Sequence, residues 1–87
     1  MYKVAGPFAF DRIPSGLRAA HDTRLGTWGE IVCDDGVLGV TWEADGRTVS
    51  IGAGSSVVMA PKEPHHVEPL SDRGSMHVCF WRQQQHA

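Results

Sequence analysis

Eighty-seven residues suffice for one domain with a thin core. With 41% hydrophobic side chains and a net charge of -2 from eight Lys and Arg against ten Asp and Glu, the composition excludes a largely disordered chain. It also lacks the basic footprint of a nucleic-acid or anionic-membrane binder, and its longest apolar runs, such as Val57 to Ala60, are far short of the roughly 20 residues that span a bilayer.

Ten Gly and five Pro punctuate the chain at short intervals, which favours many short strands over helices. Residues 8–10 read as a first strand. Residues 13–20 hold the only helical potential, at most a turn or two near 14–20. A strand over 27–33 leads to Asp34-Asp35-Gly36, an Asp-Gly hairpin signal. Residues 37–43 then alternate, with Leu38, Val40 and Trp42 on one face and Gly39 and Thr41 on the other. Ala44-Asp45-Gly46 repeats the turn signal before a strand over 47–51. Further strands are read at 55–59, 65–69 and 75–81, the last with Met76, Val78 and Phe80 opposite His77, Cys79 and Trp81. The tail 83–87 has no apolar partner and is expected to fray.

Seven or so strands at this spacing predict an all-β single domain, a small barrel or sandwich. Leu38, Val40, Val58, Met76, Val78 and Phe80 form its expected core, and Trp28, Trp42 and Trp81 are expected as core or pocket wall. The N-terminus carries no secretion-signal pattern, so a cytoplasmic location is expected, with Cys33 and Cys79 as reduced thiols. The thin core and exposed strand edges favour a homodimer.

Five histidines are the chemically distinctive feature. His21 precedes the strand at 27, His65 and His66 open another strand after Pro61-Lys62-Glu63-Pro64, and His77 lies in the last strand. Imidazoles at neighbouring strand ends around one mouth suit Zn, Ni or Fe, and a carboxylate such as Glu68 commonly completes such a set. In a regular strand, however, His65 and Glu68 point to opposite faces, so both reach one site only if a bulge intervenes at Val67. Cys79 and Arg24 are further pocket candidates, below these in rank.

Residues 54–66, Gly-Ser-Ser-Val-Val-Met-Ala-Pro-Lys-Glu-Pro-His-His, resemble the second cupin motif, a turn Gly, an apolar strand and a Pro loop ending in a metal-binding His. The first cupin motif, with its His-x-His, is missing. The runs Ile13-Pro14 to Leu17, His21-Asp22-Thr23-Arg24-Leu25-Gly26-Thr27-Trp28-Gly29 and Pro61 with His65 to Asp72 more closely resemble the cupin-like domain at the N-terminus of TehB-type tellurite-resistance proteins. That resemblance implies a cupin-like barrel or jelly-roll sandwich. It also implies a pocket in which His21, His65 and Glu68 hold a divalent metal, a small-molecule ligand is bound, and His66 and His77 matter less. It further implies a link to oxyanion or metal stress. No methyltransferase segment is present, so no reaction is carried over, and a metal-free dimeric binding module is the competing expectation.

Overall fold

The last strand shows why this chain folds as stacked sheets. From Ser75 onward, Met76 and Val78 are buried while His77 and Cys79 face the other way, a period-two pattern that makes one face apolar. Such a face is buried only by a second layer. The computed structural model, which describes residues 2–23 and 25–82, has two antiparallel sheets.

In chain order the elements are β1 (Lys3–Ala9), a 3-10 turn (Phe10–Arg12), α1 (Ser15–Arg18), β2 (Thr27–Asp35), β3 (Val37–Trp42), β4 (Thr48–Gly52), β5 (Ser56–Met59), β6 (His65–Pro69) and β7 (Ser75–Arg82). The larger sheet runs β1-β7-β2-β5 and the smaller β4-β3-β6. The all-β class and the single short helix agree with the sequence. The barrel does not close, because each sheet keeps two free edges.

Ile31, Cys33, Met59, Met76 and Val78 of the larger sheet meet Leu38, Val40, Trp42, Ile51 and Val67 of the smaller one, and Phe10 and Ile13 complete the core. Each fully buried aliphatic side chain here stabilises the fold by about 1.5–3 kcal/mol relative to exposure.

Val58 is a correction: it is 56% exposed, because its register partner is Glu30 on the outer face of the larger sheet. Val57 and Val58 are adjacent and equally apolar, so pairing with β2, not composition, selects which faces inward. Phe80 is half-buried against the core rather than within it. Trp28 and Trp81 are register partners on the outer face and are partly exposed, whereas Trp42 is buried as expected.

Two boundaries also differ. β1 starts at Lys3, since a register shift between Ala5 and Phe8 absorbs Gly6 and Pro7, which read as breakers, and Phe10 belongs to the 3-10 turn. The Asp34-Asp35-Gly36 turn does not join paired strands: β2 pairs with β5 and β7, and β3 with β4 and β6. It carries the chain from one sheet to the other. Gly36 has φ 79°, and a Cβ there would run into the Arg73 carbonyl and the Ser71 hydroxyl, so the crossover needs glycine. The expected fraying of 83–87 lies outside the described residues.

Candidate functional site

The segment before β2 is built by short-range bonds. Thr23, buried, donates its hydroxyl to the Thr27 carbonyl at 2.7 Å, closing the loop across Gly26, whose φ is 79°. Gly29 leaves room for the Thr23 methyl, which would lie 3.4 Å from a Cβ at that position. Asp22 is paired with Lys62 at 3.3 Å, and the Lys62 amide donates to the Thr23 carbonyl at 3.1 Å. The His-x-Thr-x-x-Gly-Thr-Trp-Gly run thus encodes a loop pinned to the Pro-rich segment before β6.

That pinning brings the two histidines together. His21 and His65 exchange both backbone hydrogen bonds, at 3.0 and 2.8 Å, as an isolated antiparallel bridge. Their rings meet edge to face, with centroids 4.2 Å apart and an interplanar angle of 61°. His65 Nδ1 donates to the Glu63 carbonyl at 2.7 Å and His21 Nδ1 to the Ala19 carbonyl at 3.1 Å. A carbonyl only accepts, so in each neutral ring the proton sits on Nδ1 and Nε2 keeps its lone pair. Burial pushes the His65 imidazole below the ordinary histidine value; its bond to Glu63 opposes this, and neighbouring His21 adds to it. The Glu63 side chain in turn accepts from the Trp42 indole at 2.9 Å, which ties the loop to the core.

Both imidazoles line a cavity of about 400 Å³ between the sheets. Its floor is apolar, formed by Ile31, Met59, Val67, Met76, Val78 and Phe80, and Leu17 of α1 adds one wall. Polar groups join the lining from Tyr2, Lys3, Asp22, Thr23, Thr27 and Arg82. A few polar groups around an apolar concavity are the usual composition of a small-ligand site.

The other expected site residues lie elsewhere. Glu68 is exposed on β6, two positions beyond His66 on the face away from His65 and Val67; no bulge redirects it, so it does not line the cavity. His66 bonds through Nδ1 to the Glu43 carboxylate, and His77 Nδ1 to Asp34 at 2.7 Å. Cys79 faces outward between Val4 and Glu30. Arg24 lies outside the described residues. Lys3 and Arg82, which do line the cavity, escaped the sequence reading: each stands at the end of a strand, and only the β1–β7 pairing brings both to this mouth.

Two imidazoles with Nδ1 tied to carbonyls and Nε2 free match the way metal-ligating histidines are oriented. They supply only two donors, whereas structural zinc takes four protein ligands and catalytic zinc three. Among the described residues no group of three or more His, Cys, Asp or Glu converges to hold an ion. The residues therefore fit half of a metal site.

The TehB-like domain family matches residues 3–78. The fold superimposes on TehB from Haemophilus influenzae with TM-score 0.84 and 25% identity, covering 94% of this chain and 30% of that one. It likewise superimposes on a protein from E. coli with TM-score 0.85 and 17% identity, over 95% of this chain and 89% of that one, a likeness of fold alone. This chain thus spans about a third of the length of TehB. A comparison with curated proteins finds no match. With the matched region running from β1 into β7 and including the histidine-bearing loop and the Pro-rich segment, the chain belongs to the TehB-like domain family.

Proposed function

We propose that this domain is a small-ligand-binding module in which the Nε2 atoms of His21 and His65 contact a guest seated on the apolar floor. The observation that carries the reading is the pairing of these two rings, each with Nδ1 committed to a backbone carbonyl, at the wall of a cavity of about 400 Å³. Neutral His65 offers an acceptor for a guest O–H or N–H, and the enclosed walls strengthen that bond relative to water. Membership of the TehB-like family supports linking such a pocket to oxyanion or metal stress.

A divalent ion, Zn, Ni or Fe, is the second reading. It is favoured by the tautomer that both histidines adopt, with two donors from the chain and the rest from water or from the guest. When bound, the ion would polarise a guest oxygen as a Lewis acid. What the chain does is orient the two rings and exclude water beneath them.

Histidine-ring NMR at neutral pH tests both readings. Titration with Zn is expected to shift the His21 and His65 rings together, and a panel of small acids, alcohols and amines is expected to contain binders that move His65 and Val67 signals. His65→Ala should abolish the first response and weaken the second. If neither ring responds to the metal or to any member of the panel, the pocket is not a binding site.

A further inference from the structure

Among the described residues, two cations at the cavity mouth stand without acidic partners. Lys3 and Phe80 are register partners across β1 and β7, and Arg82 follows two residues later on the same face of β7. The Lys3 ammonium lies 5.9 Å from the centre of the Phe80 ring, and the Arg82 guanidinium 4.3 Å from that of Tyr2. Such stacking holds a cation over an aromatic face while its N–H groups stay available at the edge. Among the described residues neither cation has a carboxylate within salt-bridge distance, and Asp22, the carboxylate of the lining, is already paired with Lys62. The mouth is therefore positive on a chain whose net charge is -2.

Resting on the reading of this cavity as a binding pocket, we infer that its guest is an organic acid with an apolar body, the acid group held between Lys3 and Arg82 and the body laid on the floor between the sheets. Charge-assisted bonds to a carboxylate are stronger than neutral ones, and at the mouth the anion keeps part of its hydration. The floor has no charged side chain, so a second ionised group deeper in the guest would be buried unpaired. At about 30 Å³ per water-sized unit, a cavity of about 400 Å³ takes a guest of up to roughly thirteen non-hydrogen atoms. A linear eight-carbon acid fits within that size.

Isothermal titration of the full chain with octanoate, 1-octanol and octylamine at neutral pH and low salt tests this. Octanoate is expected to bind at least about tenfold more tightly than octanol, with octylamine weakest. The double variant Lys3→Gln with Arg82→Gln should bring octanoate to the level of octanol, and Lys3→Glu with Arg82→Glu should reverse the order so that octylamine binds best. Both cations are exposed, so the variants are expected to keep the fold, which circular dichroism checks. Equal affinity for octanoate and octanol, or octanoate affinity unchanged in the Gln variant, overturns the acid assignment and leaves the pocket standing. If no probe binds while Zn or a member of the small-molecule panel still shifts the histidine rings, the acid assignment alone falls; if the rings ignore both Zn and the panel, the pocket falls with it.

Discussion

The indole of Trp42 donates to Glu63 Oε1 across 2.9 Å, and the Glu63 carbonyl accepts from His65 Nδ1 at 2.7 Å. One residue of the Pro-rich loop thus joins a buried core aromatic to the ring that faces the cavity. The same carboxylate oxygen also accepts from the Ala60 amide at 3.3 Å, closing the loop on itself.

Removing that carboxylate leaves the Trp42 Nε1 proton with no acceptor in a buried setting. Glu63→Ala is expected to destabilise the domain by about 1–3 kcal/mol, while Glu63→Gln, which keeps an oxygen acceptor, should cost less than half as much. Urea unfolding of the two variants measures the difference. Equal costs would mean that the loss comes from packing and not from the hydrogen bond.

Val78 and Val58 carry the same side chain on opposite sides of the larger sheet. Val78 is buried against the second layer, and Val58 is 56% exposed. Val78→Ala should cost on the order of 1–3 kcal/mol, and Val58→Ala should stay within about 0.5 kcal/mol of the parent. Denaturant midpoints compared at constant m-value settle it, and a larger loss at Val58 would place that strand in the other phase.

Acid should act on His65 in a defined direction. Its folded-state pKa is lowered, chiefly by burial, from the ordinary 6.5. As pH falls, the unfolded chain therefore takes up the proton first. The stability contributed by the neutral ring is complete above about pH 6.5 and is lost as pH drops from there through the folded-state value. NMR titration of the ring should give a midpoint below 6.5, and unfolding free energy in His65→Gln should depend less on pH in that range. A midpoint at or above 6.5 would contradict the burial argument.

Gly36 makes the crossover between sheets. With φ at 79° and the Arg73 carbonyl and Ser71 hydroxyl packed where a Cβ would sit, Gly36→Ala combines left-handed backbone strain with a clash against main chain. The expected loss is above about 1 kcal/mol, well beyond that of Gly46→Ala, which has a positive φ but open space around it. Thermal unfolding of the pair separates the clash from the strain.

Period-two alternation made the all-β class, the strand count and the faces of β3 and β7 readable from the residues alone, because which side chains share a face of one strand is a local property. The same geometry already set His65 and Glu68 on opposite faces, and the structure keeps them there. His21 and His65 were legible as candidates through the runs that surround them. Their edge-to-face contact was not, since it depends on a bridge between segments more than forty residues apart. Tertiary pairing alone decided that Val57 and not Val58 turns inward, that β2 and β3 part company at Gly36, and that Lys3 and Arg82 meet at one mouth. The physical reason is that a strand's pattern specifies an apolar face but not the partner that covers it; register and layer stacking follow from contacts distant in the chain.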